Sequence, residues 1–385
     1  MHEPTSWATF AGRRATRAVE CVDLAEQPER LDEGLWFVVV DFEAGLGRDG
    51  SARDGGRARA WRFAEVGPAP AAGDAVGDGW HGPAPSAWRT SLGREEYVRA
   101  VATVRERVRR GDVYQVNVCR VLTAPLPATT DDDGAVVEPD AAALAARLAA
   151  GNPAPYGAAV HVPASSGLDP VWVVSASPEL YLSLDDGPVG PSSLASGPIK
   201  GTARTPAGLT AKDRAENVMI TDLVRNDLQR VCRPGTVEVT DLLAVEEHPG
   251  LVHLVSRVRG ELLASADGAG RWGRALEATF PPGSVSGAPK SSALRLIAEL
   301  EPEARGPYCG AVGWVDGDAG RAELAVGIRT FWWADGPGGG RLRFGTGAGI
   351  TWGSDPVREW DETELKASRL VGLASSADRV DDVDR

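Results

Sequence analysis

A single lysine lies inside a short stretch rich in glycine and proline, ASGPIKGTARTPAG at residues 195–208. Lys200 is flanked there by Ile199 and Gly201. A lysine amine that has lost its proton can attack an electrophilic carbon, whereas a lysine on a tight turn can equally be a solvated charge. The stretch therefore indicates a candidate nucleophile and leaves the second interpretation open.

Acidic residues on two predicted helices could together hold a metal ion. Glu216 belongs to a helix predicted over residues 211–231, and Glu362 to one predicted over 355–373. Carboxylate oxygens are hard ligands that suit Mg²⁺, so convergence of the two helices would create a magnesium site. Spacing along the chain cannot show that they converge, and each glutamate could instead belong to a solvated helix face.

The second of these helices begins at Asp355-Pro356, because proline fits the first position of a helix. We predict that its apolar stripe consists of Val357, Trp360, Ala367 and Val371. Another stripe, spaced about one turn apart, consists of Glu359, Glu362 and Lys366.

A guanidinium that could bind a carboxylate lies in the strand predicted around RAELAVGIRTFWW, residues 321–333. Strand alternation puts Arg329 on the same face as the small residues Ala325 and Gly327, which leaves space beside it. Arg329 could therefore bind a substrate, or it could pair with an acid on a neighbouring strand. The glycines of FGTGAGI, 344–350, would let backbone amides approach an anion, although their spacing is not that of a Rossmann or P-loop motif.

The remaining periodicities predict an α+β fold with largely antiparallel sheets, because strands and helices are mixed without a regular βαβ repeat. Strands are predicted at 35–42, 57–63, 113–123, 171–184, 252–262, 310–316, 322–333 and 341–346. Helices are predicted at 93–110 (ended by Gly111), 141–150, 211–231, 287–300 and 355–373. Long loops are predicted at 66–85 and 124–140.

Composition narrows the class of protein. A chain of 385 residues can bury a large core, and its net charge of −13 offers no basic surplus for binding nucleic acid. The sequence has neither an apolar run long enough for a membrane helix nor the apolar segment of a secretory signal, so we expect no membrane association and a cytoplasmic location. The cysteines lack metal-like or disulfide-like spacing, which predicts reduced, mostly buried thiols at Cys21, Cys119, Cys232 and Cys309.

Seven stretches of the sequence, in the same order and across residues 90–372, resemble the chorismate-utilising enzymes. This family includes anthranilate synthase component I, aminodeoxychorismate synthase component I, isochorismate synthase and salicylate synthase. The stretches are GDVYQVNVCR (111–120), SPELYL (177–182), GPIKGTARTPAG (197–208), ENVMITDLVRNDLQRVCRPGTVEV (216–239), HLVSRVRGEL (253–262), FPPGSVSGAPKSSALRLIAELEPEARGPYCGAVGW (280–314) and GAGITWGSDPVREWDETELKA (347–367). The resemblance is closest to aminodeoxychorismate synthase component I.

The resemblance implies a single large α+β domain of two curved, mainly antiparallel sheets with flanking helices. Residues 1–90 would form the N-terminal part of this sandwich and 91–373 the chorismate-binding region, intertwined in one domain, with 374–385 as a polar tail. One departure is Pro282, where the family usually has glycine; a proline removes a backbone donor from that loop.

The resemblance also implies roles for individual residues. Glu216 and Glu362 match the family's Mg²⁺ ligands, where the metal holds the ring carboxylate of chorismate. Tyr308 and Arg329, with backbone amides near Gly347, match the site for the enolpyruvyl carboxylate.

Further matches lie closer to the reacting atoms. Glu179 matches the general acid that protonates the hydroxyl leaving C4. His253 is grouped by the resemblance with the catalytic residues. Other matched positions that would contact the substrate are Gln115, Gly201, Thr202 and Lys366.

Two positions discriminate among the family's reactions. Isochorismate and salicylate synthases carry a lysine in the YQVNV strand as the base that activates water, whereas this chain has Gln115, which cannot accept that proton. Ammonia is then the implied nucleophile. Lys200 occupies a position where anthranilate synthases have alanine and aminodeoxychorismate synthases have a lysine that attacks C2 of chorismate before ammonia adds at C4. The implied product is 4-amino-4-deoxychorismate, a precursor of para-aminobenzoate.

The ammonia is expected to come from a separate glutamine amidotransferase subunit. None of the four cysteines stands in the glycine-flanked turn of a class I glutaminase nucleophile. Anthranilate synthase component I and 2-amino-2-deoxyisochorismate synthase remain alternatives within the family. An alternative of another class is a non-catalytic subunit that binds chorismate or an aromatic amino acid.

Overall fold

The computed structural model of the protein consists of a large antiparallel sheet and the helices that pack against it. The structure describes residues 6–44, 55–69, 79–134, 136–187, 191–203, 205–248, 251–263 and 270–376, with the side chains of Thr202, His248 and Leu251 outside that description. Residues 70–78 of the predicted 66–85 loop and residues 377–385 of the predicted tail therefore lie outside the described residues.

The strands follow one another in chain order. They are β1 (Trp7–Phe10), β2 (Arg13–Asp23), β3 (Leu35–Val40), β4 (Ala58–Pro68), β5 (Arg89–Thr90), β6 (Gln115–Pro125), β7 (Thr129–Thr130), β8 (Val136–Val137), β9 (Tyr156–Val162), β10 (Val171–Ser177), β11 (Leu180–Asp185), β12 (Ser193–Gly197), β13 (Ile199–Ala203), β14 (Glu238–His248), β15 (Leu251–Glu261), β16 (Gly287–Ala288), β17 (Ala311–Asp316), β18 (Arg321–Val326), β19 (Thr330–Ala334) and β20 (Arg341–Ile350). The helices are α1 (Arg94–Arg110), α2 (Ala141–Gly151), α3 (Ala211–Gln229), α4 (Arg271–Thr279), α5 (Lys290–Leu300) and α6 (Pro356–Ala374).

The pairings between the described strands are antiparallel and join all of them except β7 and β8 into one closed sheet. The long ladder between β6 and β20 runs from Val116 opposite Ile350 to Pro125 opposite Arg341. Strand β15 pairs with β12, β13 and β14, and the N-terminal β1 and β3 pair with β9 and β17. The predicted α+β fold with mainly antiparallel strands is confirmed.

The strand predicted at 322–333 is interrupted, so the predicted alternation through Arg329 is wrong. Strand β18 ends at Val326, β19 begins at Thr330, and Arg329 between them has a φ of +52°. Gly327 causes the break, because it exchanges backbone hydrogen bonds with the segment at Cys309 and a Cβ there would lie 2.1 Å from the Pro307 carbonyl oxygen. The strand predicted at 171–184 likewise consists of two strands, β10 and β11.

All five predicted helices form, with differences at their ends. Helix α1 ends at Gly111, which has a φ of +82° as a C-terminal glycine requires. The helix predicted from 287 begins instead at Lys290, because residues 287–288 pair with β6 and Pro289 precedes the first turn. Helix α4 was not predicted, since its short sequence RWGRALEAT carries two arginines and a glycine.

The predicted apolar stripe of α6 is partly wrong. Val357 is 43 % exposed, whereas Glu359 is only 2 % exposed and lies on the buried face with Thr363, Ala367 and Leu370. The start is as predicted: Asp355 caps the helix by accepting hydrogen bonds from the backbone N–H groups of Val357 and Arg358. A buried glutamate on this face has to find a charged partner, which α3 supplies.

Helix α3 begins with a reciprocal cap between Thr210 and Asp213. It packs against β13, β14 and β15, while α6 packs against β20 and α1. The two helices are therefore held on strands of the same closed sheet. Their N-terminal halves meet through a Lys212–Glu359 ion pair.

Two large hydrophobic clusters stabilise this arrangement, beside a small third one. The larger includes the fully buried Trp36, Phe37 and Trp61, and the smaller lies where α2 and α6 cover Trp172 and Phe344. All four cysteines are free thiols, three of them buried, as predicted. No helix in the described ranges combines the length and apolar character needed to cross a bilayer.

Candidate active site

Lys200 lies on β13 and contacts a short turn, Gly283–Val285, from another part of the chain. Its Nζ donates a hydrogen bond to the carbonyl oxygen of Ser284 at 3.0 Å. The neighbouring Gly201 has a φ of +83°, and a Cβ there would lie 2.7 Å from the Cβ of Asp213. Glycine is thus needed for β13 to pass α3. Lys200 is half-buried and hydrogen-bonded, not a freely solvated charge.

Glu179 follows β10 and is 4 % exposed. Burial raises the pKa of Glu179 to about 7, although a hydrogen bond from the Ser284 side chain, the charge of Lys200 and the Ile199 backbone N–H favour its ionised form. A carboxyl group with such a pKa can give up a proton near neutral pH. Ser284 therefore contacts both Lys200 and Glu179.

Gln115 is the first residue of β6, and its side-chain amide is buried without a hydrogen bond to any described residue. It is 1 % exposed, and within the described residues neither its Oε1 nor its Nε2 has a hydrogen-bond partner. A Cβ on Gly349 would lie 2.7 Å from Gln115 Nε2 and 3.6 Å from Lys200 Nζ. Both groups therefore face the backbone of Gly349, where there is no side chain. An unpaired buried amide is costly unless a ligand or water completes it. This amide marks a polar binding position beside Lys200.

Helices α3 and α6 converge, as the metal-site prediction requires. Lys212 Nζ lies 2.9 Å from Glu359 Oε1 and 3.5 Å from Glu216 Oε1, so one ammonium bridges the two helices. One turn beyond Glu359, Glu362 pairs with Lys366 at 2.7 Å.

The charges of this cluster act on one another. Burial raises the pKa of Glu216, and the ammonium groups of Lys200 and Lys212 oppose that rise. Burial also disfavours the charged form of Glu362, but Lys366, with Lys212 and Lys200, outweighs it and holds the pKa below its ordinary value. Lys200 thus acts electrostatically on both predicted metal ligands as well as on Glu179.

The residues present fit a magnesium ion that a substrate helps to bind. No group of three or more His, Cys, Asp or Glu in the described segments is arranged to hold a metal by itself. Glu216 Oε1 is buried and, apart from its 3.5 Å ion-pair contact with Lys212 Nζ, has no hydrogen-bond partner among the described residues. Mg²⁺ commonly takes one or two protein carboxylates and completes its shell with water and substrate oxygens. Glu216 and Glu362 match that donor set.

Arg329 is available to bind an anion. It is half-buried at the break between β18 and β19, and burial alone lowers its pKa. Arg329 forms no ion pair with any described residue, so the interpretation in which it pairs with an acid on a neighbouring strand is wrong. A desolvated guanidinium without an acid suits a carboxylate ligand.

Tyr308 and Gly347 meet at Cys119. The ring of Tyr308 lies directly over Gly345, where a Cβ would be 2.0 Å from the ring, and its hydroxyl lies 3.8 Å from Cys119 Sγ. Gly347 pairs with Cys119 in the β6–β20 ladder, and its carbonyl oxygen accepts a hydrogen bond from Lys366 Nζ at 3.1 Å. Lys366 therefore ties β20 to the acidic residues of α6.

His253 lies on β15, 2 % exposed and directly opposite Thr202 of β13. The side chain of Thr202 is outside the described residues, so the structure places only its backbone beside His253. Pro282 suits its turn: its φ is −53°, and its carbonyl oxygen accepts hydrogen bonds from the Val285 N–H and the Ser286 hydroxyl.

Comparison with known proteins identifies the family. A model described as chorismate binding enzyme matches residues 78–372. The chain belongs to the chorismate-binding enzyme family.

Family members that are named for different reactions have similar sequence identity to this chain. Anthranilate synthase component 1 of Streptomyces coelicolor is 37 % identical over 303 residues, covering 76 % of this chain and 53 % of that protein. Aminodeoxychorismate synthase component 1 of Klebsiella aerogenes is 35 % identical over 299 residues, covering 74 % of this chain and 59 % of that protein. The chain spans little more than half the length of these curated relatives.

Solved structures of chorismate-binding enzymes share the fold. A 2,3-dihydroxybenzoate-specific isochorismate synthase from Bacillus anthracis superimposes with a TM-score of 0.70 at 20 % identity, covering 96 % of this chain and 95 % of that one. Anthranilate synthase component I from Streptococcus pneumoniae gives 0.67 at 22 % identity, with 96 % and 91 % covered.

Three residues of this site were not predicted from the sequence. Ser284 lies within the FPPGSV stretch, and Glu359 within the polar stripe of α6, but neither position signalled burial or a contact. Lys212 is one turn before Glu216 on α3, a spacing that also suits an ordinary surface ion pair.

Proposed function

We propose that this protein is the chorismate-aminating component of an aminodeoxychorismate synthase, which forms 4-amino-4-deoxychorismate from chorismate and ammonia. The observation that carries the proposal is the contact of Ser284 with both Lys200 and Glu179. An amine and a carboxyl group of raised pKa are the two groups needed to attack one ring carbon while a hydroxyl leaves another.

The first half of the reaction would join Lys200 to the substrate. The reacting form of Lys200 is the free amine that remains when its ammonium has released a proton to water. This amine bonds to C2, the conjugated ring double bonds shift, and the bond from C4 to its hydroxyl oxygen breaks. Glu179 gives its proton to that oxygen, which leaves as water.

The second half would release Lys200. Ammonia bonds to C4, the double bonds shift back, and the bond between C2 and the Lys200 nitrogen breaks. The new ammonium at C4 then returns a proton to Glu179, so both side chains regain their starting forms.

Other residues would hold the substrate in place. Mg²⁺ at Glu216 and Glu362 would neutralise the ring carboxylate of chorismate. Arg329, with Tyr308 nearby, would bind the enolpyruvyl carboxylate, and the absence of an acidic partner for Arg329 among the described residues favours this role. Gln115 would contact the substrate through its side-chain amide, which no described residue hydrogen-bonds.

We further propose that a separate glutamine amidotransferase subunit supplies the ammonia. No cysteine of this chain stands in a nucleophile turn of the glutaminase type. The chain should accordingly turn over chorismate with ammonium salts and not with glutamine. Turnover with glutamine in the absence of any other protein would contradict this.

Anthranilate synthase component I is the second candidate, because a relative from Streptomyces coelicolor with that name is 37 % identical. The deciding experiment is product identification from chorismate, ammonium chloride and Mg²⁺, with and without added aminodeoxychorismate lyase. Formation of para-aminobenzoate only when the lyase is added supports the proposal. Anthranilate formed without the lyase would support the second candidate.

A further inference from the structure

Lysine is rare in this chain, and its positions are informative. Only four of the 41 Lys and Arg residues are lysines, namely Lys200, Lys212, Lys290 and Lys366. Three of them lie among the glutamates of the candidate site, and Lys290 forms an ion pair with Asp227 elsewhere. A lysine carries a compact, mobile point charge, whereas an arginine holds a planar fork of donors in place. The candidate site therefore contains three of the four ammonium side chains, together with the guanidinium of Arg329.

Lys212 differs from the two other lysines of the site in how it is held. Lys200 and Lys366 each donate to a backbone carbonyl oxygen, which fixes the ammonium. Among the described residues, the Lys212 ammonium contacts only carboxylates, and its side chain is 46 % exposed. It can therefore move into water without leaving a backbone group unpaired.

The carboxylates that Lys212 bridges are less exposed than Lys212 itself. The side chain of Glu359 is 3 % exposed and that of Glu216 is 14 % exposed. Burial lowers the pKa of Lys212, but its hydrogen bond and attraction to Glu359, with Glu216 and Glu362 behind it, outweigh burial and raise the pKa. The ammonium neutralises buried negative charge that would otherwise be uncompensated.

We propose that Lys212 is the counter-cation of the metal-free site and leaves its place between Glu216 and Glu359 when Mg²⁺ binds. This inference rests on the use of Mg²⁺ in the proposed function. A magnesium ion on Glu216 Oε1 would lie about 2.1 Å from that oxygen, and Lys212 Nζ is 3.5 Å from it, so the two cations would be at most about 6 Å apart. A dication and an ammonium repel strongly at that separation in a poorly solvated site.

If Lys212 and Mg²⁺ exclude each other from this place, removal of the Lys212 ammonium should increase the affinity for Mg²⁺. Lys212→Gln removes the charge and keeps a polar, unbranched side chain that is one atom shorter, and Lys212→Arg keeps the charge. The matched control is Arg214→Gln, which removes one positive charge from an exposed position of the same helix that makes no ion pair with any described residue. Mg²⁺ is titrated into each protein by calorimetry without chorismate.

We expect Lys212→Gln to bind Mg²⁺ about tenfold more tightly than the wild type, a change of about 1.4 kcal/mol, with Lys212→Arg and Arg214→Gln close to the wild type. Unchanged or weaker binding by Lys212→Gln, in a protein whose wild type binds Mg²⁺, overturns the inference alone. Failure of the wild type and of every variant to bind Mg²⁺ overturns this inference, whereas the metal part of the proposed function is tested separately by turnover in excess chelator.

A second measurement needs no variant. The wild type is treated briefly with an amine-acetylating reagent, with and without Mg²⁺, and each lysine peptide is quantified by mass spectrometry. We expect Mg²⁺ to increase acetylation of Lys212 several-fold, because the freed ammonium enters water, while the ion-paired Lys290 stays protected in both samples. Unchanged or reduced acetylation of Lys212 in Mg²⁺ would show that it stays between the carboxylates.

Discussion

The ammonium of Lys200 lies 3.0 Å from the carbonyl oxygen of Ser284, a residue that is 84 positions further along the chain. The side chain of the same Ser284 hydrogen-bonds the buried carboxyl group of Glu179. The turn that carries Ser284 is stabilised by the Pro282 carbonyl oxygen, which accepts from Val285 and Ser286. Any movement of this turn would disturb the proposed nucleophile and the proposed acid together.

Lys200→Ala should abolish most formation of aminodeoxychorismate while the protein still folds and binds chorismate. Lys200 is only half-buried, and Mg²⁺ and Arg329 would hold the substrate carboxylates without it. Product is measured by liquid chromatography, folding by circular dichroism and binding by calorimetry. A rate for Lys200→Ala close to that of the wild type would exclude the covalent mechanism.

The pH dependence of turnover should report on Glu179. Burial raises its pKa to about 7, and the acid must be protonated to act, so kcat should fall as pH rises above about 7. Glu179→Gln should lower kcat by about 10²-fold or more, and the fall of kcat above about pH 7 should disappear. A wild-type profile that stays flat up to pH 9 would contradict the assignment.

The same residue should affect stability with a defined sign. The folded protein holds the Glu179 proton up to a pH of about 7, whereas the unfolded chain releases it near the ordinary glutamate pKa of about 4.5. The folded state therefore binds more protons between these values, and the free energy of unfolding should fall as pH rises through that window. Glu179→Gln should remove this fall, which is on the order of 3 kcal/mol, as measured by urea denaturation at pH 4.5 and pH 8.

Activity should require Mg²⁺ and both predicted ligands. Glu216→Gln and Glu362→Gln should each lose most turnover, because each removes a hard oxygen ligand from a metal that has few protein ligands. The control is Glu95→Gln, a substitution of a glutamate that is 93 % exposed on α1. Full turnover of the wild type in excess chelator would exclude a metal requirement.

Gly201→Ala should destabilise the protein more than an alanine at another glycine of similar conformation. Gly201 and Gly235 have φ values of +83° and +82°, but a Cβ at Gly201 would lie 2.7 Å from Asp213, whereas no described atom lies within 4 Å of one at Gly235. Gly235→Ala should cost about 1 kcal/mol for its backbone conformation, and Gly201→Ala about 2–4 kcal/mol because the close contact is added. Equal decreases in the free energy of unfolding, measured by chemical denaturation, would show that α3 shifts away from the added methyl group without loss of stability.

The sequence by itself determined the fold class, the family and the start of α6. These features depend on local patterns: alternation in strands, glycine after α1, proline after the cap at Asp355, and long motifs in a constant order. It also indicated Lys200 and Glu216, because their positions are set by motifs that neighbouring residues define.

The tertiary structure alone decided which side chains meet. Periodicity gave α6 a face with Val357 buried, yet Glu359 is buried instead, because Lys212 of α3 supplies an ammonium for it. Arg329 departs from strand alternation because Gly327 packs on the Pro307 backbone. Burial and charge pairing depend on elements that are distant in the chain. The periodicity of one helix or strand carries no information about which side chains of another element will contact it.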